Sequence, residues 1–275
     1  MKKYKIVPVL TTIVLCSIAL FTLFPIYIAV LNSFKTQTEI GTSVLSFPKN
    51  FSFDNYRLAL GKMDYINVVY NTFYLTVVSV VGIVIVSSLA GYKLAKTSGK
   101  LSAFIFLLFT SSMLVPFSSV MLPLYKMAKL LGLSQSKTGL TIIYMGLGIN
   151  LAIFLYHGFS KGIPTELEEA ALIDGCNEFQ MFYKIIFPLL RPISATIAIL
   201  DVLWIWNDFM LPLVMISDTR NYTIVLKARG FVSAYSIDWA SILAALVVSM
   251  IPVIIFYAIF QKNIVKGITA GAVKG

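Results

Sequence analysis

Two carboxylates stand inside an otherwise apolar run in the last third of the chain. Asp201 and Asp208 are seven residues apart, two helical turns, so a helix would put both on about the same face, beside Trp204, Asn207 and Phe209. Carboxylates accept hydrogen bonds from sugar hydroxyls, and an aromatic ring can cover the apolar side of a sugar ring. The set is therefore a candidate lining for the path of a polar, ring-shaped solute. The alternative is structural: Asp208 and Asn207 satisfy backbone groups or a partner helix near a membrane surface, and Asp201 makes an interhelical hydrogen bond. Asn150, in an earlier apolar run, joins the candidates with the same alternative.

Other reactive residue types give little chemistry. Cys16 lies in the first apolar run and Cys176 in a distant polar segment, so neither metal-ligand spacing nor a disulfide framework follows. The one histidine, His157, has no neighbouring cysteine or second histidine with which to build a metal site. No G-x-x-x-x-G-K-[ST] phosphate loop occurs, so ATP hydrolysis by that route is not in this chain.

The elements that position these residues are long and apolar. A chain of 275 residues that is 58% hydrophobic and 12% charged, with a mean hydropathy of +0.86, has too little polar surface to coat a water-soluble globule. Runs of about 20 apolar residues, enough to cross a bilayer as a helix, recur at 7–31, 68–92, 101–122, 139–159, 193–213 and 239–261. Barrel strands of about 10 alternating residues would not give such runs. The expectation is an all-α integral membrane protein of six spans, forming a single transmembrane domain over 1–275. Ser79, Gly82 and Ser87 in the second run recur at helical spacing and would let helices approach closely.

The net charge of +10 is spread between the apolar runs rather than gathered on one face, which argues for anionic lipid and against nucleic acid. The first run is too long for a cleaved signal core and lacks an Ala-x-Ala site, so it reads as a retained span. Lysines near the N-terminus, with Lys93, Lys96 and Lys100, place those segments in the cytoplasm. Both termini, including a tail at 262–275, are then cytoplasmic. Lys126, Lys129 and Lys137 fall on the outer side in this arrangement and oppose it.

The same topology makes 160–192 a cytoplasmic loop between spans four and five. It holds five of the 12 acidic residues: Glu166, Glu168, Glu169, Asp174 and Glu178. Thr165 with Glu168 reads as a capping box, predicting a helix from Glu166 that stops at Gly175. A second short helix, from about Asn177, is expected to end at Pro188. In the first helix Leu167, Ala170, Ala171 and Asp174 share a face of low relief, suited to docking in a protein groove. Lying on lipid is the alternative, although an interfacial helix usually carries a basic polar face.

The run Glu169-Ala170-Ala171, three residues, Gly175, nine residues, Ile185-Ile186-Phe187-Pro188 resembles the EAA loop of binding-protein-dependent ABC importer permeases. Phe187 departs from the family's usual Leu but keeps a large apolar side chain. Phe154-Leu155, Gly158-Phe159, Ile163-Pro164, Trp206-Asn207-Asp208-Phe209 and the tail from Gly267 to Gly275 are similar to the carbohydrate branch, and the tail to the maltose G-type subunit. The resemblance implies a sugar permease whose EAA loop, through Glu169, Ala170, Ala171, Asp174 and Gly175, is the coupling helix that fits a cleft in a separate ATPase. It implies that Thr269, Gly271 and Lys274 in the tail reach toward the ATPase dimer. It also implies a second related permease forming a heterodimer, two ATPase subunits that bind ATP and Mg, an extracellular sugar-binding protein, and a bacterial cell membrane location. Asp201 stands where family members usually carry a small or neutral residue.

Two rival classes remain at this point. An ion-driven secondary transporter or channel would use Asp201 and Asp208 as a relay, yet no repeated halves are visible. An intramembrane aspartyl protease has its two carboxylates but lacks the Gly-x-Gly-Asp context.

Overall fold

The structure, a computed structural model, describes the backbone of residues 6–231 and 238–272 and the side chains of 8–231 and 238–259. The described residues form helices and no strand. Among the described residues the main helices are α1 (Ile6–Ser33), α2 (Tyr65–Lys96), α3 (Lys100–Ser112), α4 (Phe117–Leu130), α5 (Lys137–Ser160), α6 (Glu166–Ile173), α7 (Glu178–Asn207), α8 (Met210–Met215) and α9 (Trp239–Ala272). Short helices over Gln37–Thr42 and Asp54–Met63 follow α1.

Among the described residues five helices have the length and apolar composition to cross a membrane, and a sixth span results if α3 and α4 are counted together. The single straight span expected at 101–122 is not what forms. α3 and α4 meet at 106° across residues 113–116. The cause is local: Pro116 has no N–H to continue the ladder and its ring drives the preceding residue toward extended backbone. Pro116 itself is extended, with φ −60° and ψ 136°.

The chain divides into two compact units, residues 1–65 with 227–252, and residues 66–226 with 253–275. In the first, the chain leaving α1 is fastened by polar groups buried together. The Lys35 ammonium, 1% exposed, donates to Asn32 Oδ1 at 2.9 Å and to the Ser43 carbonyl at 3.0 Å, while Asn55 Nδ2 donates to the carbonyls of Ser33 and Lys35. Burying an ammonium is tolerable only with such acceptors around it. At the start of α9, Asp238 accepts from the Ser241 N–H at 3.1 Å, and the Tyr65 hydroxyl donates to the Val248 carbonyl.

In the second unit α5 is packed by α2, α3 and α7 around buried Leu75, Ile83, Leu140, Tyr144, Ile186 and Leu190. Ser79 and Ser87 are buried, and Ser79 Oγ donates to the Thr141 carbonyl at 3.5 Å. Gly91 permits a close approach of α2 to α5, since a Cβ there would lie 2.5 Å from the Tyr156 Cβ. At one end of α2, Asn67 and Asn71 donate to the Arg220 carbonyl and the Thr72 hydroxyl accepts the Ile224 N–H, so the loop after α8 is pinned to that end.

Candidate coupling helix and translocation cleft

α6 starts at Glu166, but not through the expected capping box. Thr165 is itself helical (φ −69°, ψ −24°) and its side chain makes no cap hydrogen bond. The Glu168 carboxylate that would complete the box instead forms an ion pair with Lys96, whose Nζ lies 2.7 Å from Oε1. The far end of α6 closes in a Schellman arrangement: Gly175 is left-handed (φ +81°), its N–H donates to Leu172 O, and the Cys176 N–H donates to Ala171 O at 3.0 Å.

The next helix is capped by a box that the sequence reading did not single out, between Asn177 and Gln180. It does not stop at Pro188. A π-helical turn over Phe182–Ile186, closed by the Phe187 N–H donating to Phe182 O, widens the helix just before the proline, and the chain runs on as α7. This relieves the clash that ordinarily ends a helix at proline. The second short helix is therefore the first turns of the long α7.

Of the five residues assigned to coupling, Glu169, Ala170, Asp174 and Gly175 are exposed. Ala171 is 1% exposed and belongs to the core, a correction to its place on the docking face. Ala171 sits about 100° round the helix from Ala170, on the side that packs against the core. The exposed apolar residues of the segment are instead Leu167, Leu172, Ile173 and Phe179, the last two 86% and 71% exposed. Their types alone, apolar residues in an otherwise acidic segment, were the available signal.

Three of the five candidate pathway residues come together. Asn150, Trp204 and Asp208 line a cleft of about 630 Å³ together with Phe117 and Leu124 of α4. Asp208 ends α7 and is held by two donors: the Tyr144 hydroxyl at 2.9 Å on Oδ2 and the Met210 N–H at 3.0 Å on Oδ1. Trp204 meets the Tyr144 ring edge-on, with centroids 5.6 Å apart. A carboxylate has about four acceptor sites, so Asp208 keeps capacity for a further hydroxyl.

Asp201 and Asn207 do not join them. Asn207 Nδ2 donates to the Leu203 carbonyl of its own helix at 2.7 Å. Asp201 is 4% exposed and absent from the cleft wall, and its Oδ2 has no hydrogen-bond partner among the described residues. Asn150 Nδ2 also bonds its own helix, to Leu147 O at 3.3 Å. In the tail, Thr269 and Gly271 fall in α9 with their side chains outside the described residues, and Lys274 lies outside them altogether.

With this geometry in place, the chain can be compared with known proteins. The family model described as "Binding-protein-dependent transport system inner membrane component" matches residues 83–270. The chain is 42% identical over 275 residues, covering 100% of both proteins, to the probable starch degradation products transport system permease protein AmyC of Thermoanaerobacterium thermosulfurigenes. It is 33% identical over 275 residues to the melibiose/raffinose/stachyose import permease protein MelC of Bacillus subtilis (strain 168), covering 100% of this chain and 98% of that one. Its fold is shared with a crystal structure of a bacterial ABC transporter involved in the import of the acidic polysaccharide alginate (TM-score 0.82, 24% identity, covering 95% of this chain and 98% of that one). A match over most of the chain, with relatives alike from end to end, makes this protein a member of the binding-protein-dependent transport system inner membrane components.

Proposed function

We propose that this subunit carries a di- or oligosaccharide into the cytoplasm by alternating access, driven by ATP hydrolysis in separate subunits. The observation that carries the sugar reading is the end-to-end 42% identity to a permease named for starch degradation products, and the likeness to one named for melibiose, raffinose and stachyose points the same way. The cleft is compatible: Trp204 supplies a ring face, while Asp208 and Asn150 supply polar atoms, in a space of about 630 Å³.

α6 is the coupling helix in this reading. It is short, capped at its C-terminal end, and exposes Glu169, Ala170 and Ile173 to a partner. The ATPase subunits bind ATP and Mg. Closure of their dimer displaces α6, and the spans switch between inward and outward arrangements. The complete importer has a second, related permease subunit, two ATPase subunits and an extracellular sugar-binding protein. The N- and C-termini and α6 face the cytoplasm, in keeping with Lys93, Lys96 and Lys100 around the link between α2 and α3.

A cysteine placed at exposed Ala170 tests the coupling role. In the assembled importer, Ala170→Cys should crosslink to an ATPase subunit. Crosslinking only to the binding protein, or to no partner, would overturn the assignment.

A further inference from the structure

The attachment of α6 to the rest of the permease is lopsided. Lys96, the last residue of α2, places Nζ 2.7 Å from Glu168 Oε1 and donates to the Ile163 carbonyl at 2.7 Å. It thus grips the chain on both sides of the Pro164-Thr165 step. The two charged side chains are only 15% and 17% exposed, and the pair joins a cation in the last turn of one helix to an anion in the first turn of another, the orientation both helix dipoles favour. The neighbouring pair is different in kind: Lys93 and Glu178 stand 3.5 Å apart and are 69% and 81% exposed. Solvent screens such a pair almost completely. Just below Lys96, Tyr92 packs on Phe182 with ring centroids 5.5 Å apart, so α2 also touches the first turns of α7. α2 runs unbroken over 32 residues with no proline.

We infer that Lys96 is the positioning residue that fixes the coupling helix to α2, so that α2 is the span displaced together with α6. This rests on the docking of α6 to the ATPase proposed above. A screened pair cannot carry a load, and the Lys93 pair is expected to contribute nothing to coupling.

The test is sugar transported per ATP hydrolysed by the full importer reconstituted in liposomes, with Ala170→Cys crosslinking measured alongside. Lys96→Gln should lower that ratio at least tenfold while ATP hydrolysis and the crosslink persist. Lys96→Arg should hold the ratio within about twofold of the parent, because a cation of similar reach is kept. Lys93→Gln should leave the ratio unchanged. If Lys96→Gln does not assemble, the charge-reversed pair Lys96→Glu with Glu168→Lys decides: recovery of assembly and coupling supports the latch, and failure to recover overturns it. A parent-like ratio in Lys96→Gln with the crosslink intact would overturn the latch alone. Absence of the crosslink in an otherwise unaltered chain would overturn the docking reading, and the inference with it.

Discussion

The Tyr144 hydroxyl reaches 2.9 Å across from α5 to Oδ2 of Asp208, at the end of α7, and so ties together the two helices that wall the cleft. Tyr144 is fully buried, so its hydroxyl cannot exchange this bond freely for water. Tyr144→Phe removes the donor and leaves a carboxylate oxygen short of a partner. The expected cost is about 1–3 kcal/mol, seen as a lower thermal midpoint of the detergent-solubilised subunit. Asp208→Asn, which retains an acceptor at this position, should cost less.

Trp204 and Asp201 lie three residues apart but face different surroundings, and they should respond differently. Trp204→Ala removes a ring from the cleft wall and should raise the half-saturating sugar concentration by about tenfold, a change of about 1.4 kcal/mol. Asp201→Asn, away from the cleft, should leave that concentration within about twofold. Uptake measured across a sugar titration separates the two. A strong effect on affinity from Asp201→Asn would return it to the pathway.

Gly175 offers a purely backbone test of the coupling helix. Its φ is +81° and nothing lies within 4 Å of where a Cβ would sit, so a substitution meets conformational strain without collision. Gly175→Ala should destabilise the cap by about 1–2 kcal/mol, whereas Gly175→Asn, which tolerates the left-handed region, should be milder. Faster amide exchange over 166–176 in the alanine variant, with reduced uptake per ATP, is the expected pattern. Equal exchange in both variants would show that the cap does not depend on this residue.

Glu39 gives the loop after α1 a pH signature. Its carboxylate accepts the backbone N–H groups of Thr36 and Lys49, both at 3.0 Å, which hold its pKa below the usual glutamate value. A lowered folded-state pKa means the stabilisation is complete above the ordinary value near 4.5 and is lost as pH falls through the lower one. Protection of the Lys49 amide, taken against its intrinsic exchange rate at each pH, should therefore hold at pH 5 and fall as the solution is made more acid. In Glu39→Gln that acid step should vanish.

Much of this was legible in the sequence because membranes impose coarse rules. Apolar length marked the spans, and glycine chemistry marked the end of α6 at Gly175. What stayed hidden depended on neighbours far along the chain. Thr165-x-x-Glu168 has the spacing of a capping box, but Lys96, some 70 residues earlier, captures the glutamate. Pro188 is a helix stop by its own chemistry, yet a π turn immediately before it lets the helix continue. The spacing of Asp201 and Asp208 would put both on one helical face, but the helix ends at Asn207 and Asp208 is already extended backbone. Only the packing of Tyr144 and the bent α4 decides that Asp208 borders the cleft and Asp201 does not.

In the importer proposed above, ATP spent elsewhere in the assembly drives sugar inward through this subunit. Proteoliposomes holding the complete importer, supplied with the sugar-binding protein and a labelled maltooligosaccharide outside and ATP inside, measure this directly. Accumulation that needs ATP and is abolished by vanadate is the predicted result. Accumulation driven by a proton or sodium gradient with no nucleotide present would contradict it.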